Sequence, residues 1–63
     1  GREAVLLAPV VTVSSGPGGD FVTLFEIHEG AELSIREERG AWVRVSLGDE
    51  LEGWIPRGSF ETL

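Results

Sequence analysis

Apolar and polar residues alternate over several short stretches of this chain, and a period of two residues is typical of β-strands. The alternation is clearest in "WVRVSL" at 42–47 and "LEGWIP" at 51–56, and it recurs at 11–13 and 33–35. No stretch shows a helical period of 3.6 over ten residues. The pattern predicts an all-β domain, a small closed or nearly closed barrel of five to six short strands.

Turn-forming residues separate these stretches. "GDE" at 48–50 predicts a hairpin turn between the two clearest strands, and "HEG" at 28–30 and Gly40 mark two further turns. Pro56 ends its strand, and "RGS" at 57–59 has the length of a single 3-10 turn. We therefore expect helical structure to be limited to that one turn.

Alternation also predicts which strand faces are buried. In the segment 21–27 the pattern slips between Leu24 and Phe25, which predicts a β-bulge or kink there. Elsewhere one face of each strand carries the large aliphatic residues. The predicted core is Val13, Leu33, Ile35, Val43, Val45, Leu47 and Ile55.

Length and composition limit what such a chain can be. Its 63 residues allow one domain, predicted to span 1–63, and the leading Gly1 suggests a module taken from a larger protein. The chain has no Cys, so disulfides and Cys-based metal sites are excluded. No apolar run approaches the ~20 residues of a membrane span, and direct membrane insertion is not expected.

Charge excludes two classes of partner. The chain has 11 acidic residues and 5 basic ones, and its net charge is −6. The basic residues are all Arg and are spread along the sequence. Because a nucleic-acid binder needs a concentrated basic face, we do not expect a nucleic-acid partner. An anionic lipid surface is disfavoured for the same reason.

Three segments together resemble a known family. "VTVSSGPGGDF", "LFEIHEGAEL" and "GAWVRVSLGDELEGWIP" occur in the order and spacing typical of a bacterial SH3 (SH3b) domain, and the likeness covers residues 4–63. Ser14 departs from the usual Arg, and Phe21 from the common Tyr. The "LFEIHEG" stretch most resembles SH3b domains at the end of BatE-type tetratricopeptide-repeat proteins.

The resemblance implies an SH3-like barrel of five to six strands that binds a ligand and has no catalytic activity. SH3b modules are usually attached to cell-wall hydrolases or envelope proteins, which suggests a periplasmic or cell-envelope location. The C-terminal half is also similar to the "Trp … Gly-aromatic-x-Pro" signature of eukaryotic SH3 domains. The Ala-Leu-Tyr-Asp-Tyr opening of those domains is missing, so binding of proline-rich peptides is not the first expectation.

A candidate ligand site follows from the strand faces. Trp42, Trp54 and Pro56 fall on the polar sides of their strands, and a hairpin would place them on one side of the sheet. The "SSGPGGDF" loop at 14–21, with Asp20 and Phe21, would form a wall of this groove. Acidic neighbours would favour basic groups on the ligand. In the alternative interpretation the loop covers both Trp residues, which then extend the core.

Other candidates for chemistry are weak. His28 is the only His and lies in an acidic turn, so it is interpreted as a surface residue and not as a metal ligand. A triad of Ser14 or Ser15 with His28 and Asp20 lacks room for a pocket and an oxyanion site. The pairs Glu37–Glu38 and Glu50–Glu52 are interpreted as solvated turns, and "SGPGG" lacks the Lys and the helix of a phosphate loop. We expect no cofactor, no metal and no enzymatic activity.

Three functional hypotheses remain open. The domain is a module that docks a peptide or protein partner within an envelope protein, a peptidoglycan-targeting module of a cell-wall hydrolase, or a structural spacer. A neighbouring amidase or peptidase domain would favour the second hypothesis. Neighbouring tetratricopeptide repeats would favour the first.

Overall fold

The computed structural model describes residues 2–63, which form seven antiparallel β-strands joined by turns. The all-β prediction is confirmed, with one strand more than the expected five to six. Within 2–63 no helix is long and apolar enough to cross a membrane. The strands are β1 (Arg2–Leu6), β2 (Val10–Ser14), β3 (Thr23–His28), β4 (Glu32–Arg39), β5 (Trp42–Leu47), β6 (Leu51–Pro56) and β7 (Phe60–Thr62).

The strands form one sheet in the order β3-β2-β6-β5-β4-β1-β7. Over the described residues the end strands β3 and β7 are not paired with each other, so the expected barrel is not closed by hydrogen bonds. The sheet nevertheless curls, because Ile27 on β3 and Leu6 on β1 pack into the same buried cluster. This rolled sheet is consistent with the predicted SH3-like fold.

The core occupies the strand faces that the alternation indicated. All but one of the seven predicted core residues are buried. Leu47 is only partly buried, because it ends β5 opposite Leu51, which is 51% exposed near the hairpin tip. The buried cluster consists of Ala4, Leu6, Val11, Val13, Ile27, Leu33, Ile35, Val43, Val45 and Ile55.

The predicted irregularity in the strand at 21–27 is a β-bulge in β3. Val13 on β2 pairs with Phe25, whereas the next residue, Ser14, pairs with Thr23. Leu24 is therefore the extra residue of the bulge, at the position where the sequence alternation slips.

The predicted 3-10 turn at 57–59 is wrong, because these residues form a turn without helical structure. Gly58 has a φ of +98°, whereas a 3-10 helix needs φ of about −50 to −70°. The Ser59 N–H donates to the Pro56 carbonyl at 3.4 Å, and the Ser59 hydroxyl donates to the same oxygen at 2.7 Å. The side-chain bond helps to hold the turn that leads into β7.

Candidate binding site

Two consecutive hairpins align the candidate site residues in rows across β4, β5 and β6. In the first row Arg39 is opposite Trp42, and Trp42 is opposite Pro56. In the second row Glu37 is opposite Arg44, Arg44 is opposite Trp54, and Trp54 is opposite Ser14 of β2. We call the side of the sheet that carries Glu37, Arg39, Trp42, Arg44, Trp54 and Pro56 the outer face.

Turn geometry sets this alignment. Gly40 and Ala41 connect β4 to β5, and the φ of +61° at Gly40 is one that Gly adopts without steric cost. Such a short connection makes Arg39 and Trp42 direct neighbours across the hairpin. The β5–β6 turn has Gly48 at a φ of +67° and places Trp42 opposite Pro56.

The structure separates the two tryptophans by exposure. Trp42 is partly exposed and Pro56 is exposed, and directly opposed residues have Cβ atoms about 4.5–5.5 Å apart. Trp54 is only 7% exposed. The Arg39 guanidinium carbon lies 5.6 Å from the centroid of the Trp54 ring. Of the two tryptophans, Trp42 beside Pro56 is therefore the accessible one, while Trp54 lies beneath Arg39.

The Gly-rich loop accommodates an aromatic ring of its own. The Phe21 ring lies against Gly16 and Gly18, where added Cβ atoms would come within 2.5 Å of Phe21 Cε1 and 3.3 Å of Phe21 Cε2, respectively. Phe21 remains 49% exposed, and Asp20 beside it is exposed. The glycines thus permit close packing of Phe21, a role that their sequence pattern did not reveal. That the loop walls the Trp42–Pro56 site remains a prediction.

Arg39 belongs to a chain of ion pairs along the outer face. Arg39 Nη2 donates to Glu37 Oε2, and Arg44 Nε donates to Glu37 Oε1 at 3.3 Å. Arg44 Nη1 also donates to Glu52 at 2.7 Å. The pKa of Glu37 is lowered chiefly by its hydrogen bond with Arg39 and further by Arg44, against a smaller opposing effect of desolvation.

A second ion-paired group braces the β4–β5 turn. Arg57 donates from Nη1 to Glu38 at 2.7 Å and from Nε to the Gly40 carbonyl at 2.9 Å. Glu38 also pairs with Arg2 of β1. These contacts lower the pKa of Glu38, with the Arg57 hydrogen bond as the largest cause. Arg57, which follows Pro56, is thereby hydrogen-bonded to the end of β4 and to the turn after it.

Two arginines lie beside Trp42 on the outer face, which changes the expected charge of the site. Arg39 is opposite Trp42 and Arg44 is two residues along the same strand, whereas Arg57 follows Pro56 and points to the other side of the sheet. Within residues 2–63, the acidic residues without an ion pair are Glu3, Asp20, Glu26, Glu29, Glu32, Asp49, Glu50 and Glu61. The expected preference for basic ligand groups is therefore not supported next to Trp42.

The residues considered for catalysis or metal binding are placed as follows. His28 is exposed and pairs with Val10 at one end of β2, whereas Ser14 is buried at the other end. Four residues of strand separate them, roughly 13 Å. No cluster of three or more metal-ligating side chains occurs in the part of the chain that the structure describes.

No protein-family model matches the chain, and no solved structure matches it. One similar curated protein is the "Putative N-acetylmuramoyl-L-alanine amidase YrvJ" of Bacillus subtilis (strain 168), with 36% identity over 53 residues. The match covers 84% of this chain but only 10% of that protein. The similarity therefore links this domain to a small part of a protein named as a putative N-acetylmuramoyl-L-alanine amidase. The narrower likeness to BatE-type tetratricopeptide-repeat proteins gains no support from the comparisons.

Proposed function

We propose that this chain is a non-catalytic SH3b-type module of a larger cell-wall hydrolase. It attaches that hydrolase to peptidoglycan by binding the peptide portion of the peptidoglycan. The observation that carries the proposal is the accessible Trp42–Pro56 pair on the outer face. The similarity to a protein named as an amidase of N-acetylmuramoyl-L-alanine supports peptidoglycan as the ligand class. An amidase domain beside this module in its own protein would favour this hypothesis over docking of a protein partner.

The Trp42–Pro56 pair has the properties of a peptide-binding surface. An indole ring beside a proline presents a flat apolar area at little cost in conformational entropy. Both residues are held by a hairpin ladder over a buried core, so the surface is formed before a ligand arrives. Affinity from such a small surface would be modest. Attachment to a catalytic domain would raise the effective concentration of substrate.

The positions of the candidate catalytic residues support a binding role without catalysis. The candidate base His28 and the candidate nucleophile Ser14 are at opposite ends of β2. Catalysis of acyl transfer needs a nucleophile, a base and an oxyanion site within hydrogen-bond reach of one another. We therefore propose that any hydrolytic activity resides elsewhere in the larger protein.

Titration of the ¹⁵N-labelled domain with purified muropeptides tests this proposal. We expect resonance shifts centred on Trp42 and Pro56, and about tenfold or greater loss of affinity in Trp42→Ala, the usual scale for a buried aromatic contact. Pro56→Ala should weaken binding less. Val10→Ala, an exposed apolar residue at the far end of β2, is the control and should bind normally.

The comparison is valid only if the variants remain folded. The dispersion of the amide resonances in the same spectra shows whether they do. If Trp42→Ala unfolds the domain, Pro56→Ala carries the test, because Pro56 is exposed. Shifts confined to a surface away from Trp42 and Pro56, or no binding at all, would refute the proposal. Soluble fragments released from intact peptidoglycan by the domain alone would refute its non-catalytic part.

A further inference from the structure

We propose that the Trp42–Pro56 site selects ligands bearing a carboxylate, and that Arg39 is the residue that contacts it. This inference rests on the proposed function, since it specifies the chemistry of the group bound at the same site. It reverses the ligand charge expected from the net charge of the chain. The position, hydrogen bonding and charge environment of Arg39 lead to it.

The position of Arg39 is both fixed and accessible. The residue ends β4 directly opposite Trp42, and its guanidinium reaches across β5 to within 5.6 Å of the Trp54 ring centroid. Stacking on an indole ring holds the planar group in place. The Arg39 side chain is nevertheless 65% exposed. A cation held beside Trp42 and open to solvent is suited to contact a ligand.

Arg39 also has hydrogen-bonding capacity to spare. A guanidinium carries five N–H donors, and Arg39 uses Nη2 to bond Glu37. Within residues 2–63 its Nε and Nη1 donate to no other group. Glu37 is shared with Arg44, which also bonds Glu52, so Arg39 has only part of one carboxylate as its partner. A carboxylate supplied by the ligand would occupy the Nε–H and Nη1–H donors of Arg39.

The local balance of charge differs from that of the whole chain. The ion-paired group on the outer face beside Trp42 contains two arginines, Arg39 and Arg44, and two glutamates, Glu37 and Glu52, so it is neutral although the net charge of the chain is −6. The acidic tip at Asp49 and Glu50 lies beyond Leu47, roughly 16 Å along β5 from Trp42. At that distance exposed charges are largely screened at ~0.1 M salt. The charges nearest to Trp42 therefore balance, and the excess negative charge of the chain lies elsewhere on its surface.

These features favour a peptide carboxylate over a polyanion. A polymer carrying many negative charges would be repelled by the acidic remainder of the surface. A single carboxylate next to an aliphatic peptide segment matches the site, with Trp42 and Pro56 contacting the aliphatic part. The planar fork of Arg pairs well with a carboxylate.

A matched pair of probes tests the inference: a purified muropeptide with free carboxylates, and the same muropeptide with its carboxylates converted to amides. We expect the free acid to bind about fivefold more tightly at low salt, and less so at high salt. Arg39→Gln should remove this difference, and Arg39→Lys should restore part of it. Arg36→Gln removes the same charge from the same strand and should leave the difference intact, since Arg36 bonds Ser46.

The outcomes separate this inference from the proposed function. Equal affinity for acid and amide would overturn the role of Arg39 while leaving peptidoglycan binding at Trp42 in place. Binding of neither probe would overturn both. If acid selectivity survived in Arg39→Gln but was lost in Arg36→Gln, the carboxylate would be bound at a different arginine. Trp indole and Arg Nε–H resonances report whether each variant keeps its fold.

Discussion

At the residue scale, Gly53 shows how tightly the sheet is rolled. Its side-chain position on β6 faces inward, where an added Cβ would overlap the Val13 side chain and come within 2.9 Å of the Ser14 carbonyl oxygen. The backbones of β6 and β2 therefore approach each other more closely than any larger residue allows. Glycine is required here by a close approach and not by an unusual backbone angle.

Gly53→Ala should destabilise the domain by about 1–3 kcal/mol, the usual cost of inserting a methyl group into a packed interior. Gly19→Ala is the matched control, because an added Cβ there has no atom within 4 Å and should change stability by less than ~1 kcal/mol. Urea denaturation followed by Trp fluorescence measures both. Equal stability of Gly53→Ala and the unmodified chain would contradict the close packing of β2 on β6.

At the scale of elements, ion pairs link β4, β5 and β6 on their solvent side. Glu37 of β4 bonds Arg44 of β5, and Arg44 bonds Glu52 of β6. Glu38 joins Arg57, after β6, with Arg2 of β1. Single exposed pairs contribute little, but these share partners and connect four strands. Their contribution should depend on pH because the pKa values of Glu37 and Glu38 are lowered.

The sign of that dependence follows from the direction of the shift. A carboxylate with a lowered pKa in the folded state stabilises the fold above its ordinary value of 4.5, and this contribution disappears as pH falls through the lower folded value. The stability difference between the unmodified chain and Glu38→Gln should be largest near pH 7 and shrink below pH ~4. Glu26→Gln removes a carboxylate without an ion pair in the described chain and should cost less stability at pH 7 than Glu38→Gln. Thermal unfolding across pH tests this, and a difference that grows in acid would contradict it.

At the scale of the whole molecule, stability depends on a small shared core. Ten residues contributed by six of the seven strands form the buried cluster. A domain of this size buries only about 60% of its unfolded surface, so little stability is in reserve. The loss of one core side chain should affect every strand at once.

Leu33→Ala should cost about 2–5 kcal/mol, because Leu33 is only 2% exposed and its truncation leaves a cavity. Leu51→Ala removes the same atoms from a residue that is 51% exposed and should cost less than ~1 kcal/mol. Chemical denaturation of both variants makes the comparison. Similar losses would mean that the β5–β6 hairpin tip is part of the core.

The local features of this protein were predictable from its sequence. A period of two fixes which side of a strand is apolar, so the faces of β5 and β6, the buried Val43 and Val45, and the bulge at Leu24 were predictable. Glycines at the turns predicted the hairpins, and the hairpin of β5 and β6 places Trp42 and Pro56 on one face. Each of these depends on residues close together in the chain.

Contacts between residues far apart in the sequence depend on how the sheet folds as a whole. Alternation gives the face of a strand but not its neighbour beyond a hairpin, so the pairing of β2 with β6, and hence the need for Gly53, was not predictable. The same holds for Arg39, which lies 15 residues before Trp54 and covers it by reaching across β5. Net charge likewise gave no sign that Arg39 and Arg44 lie beside Trp42 on the outer face. The sheet curls because its apolar faces are buried in one core. This curling determines which side chains lie next to one another on the solvent side of the sheet.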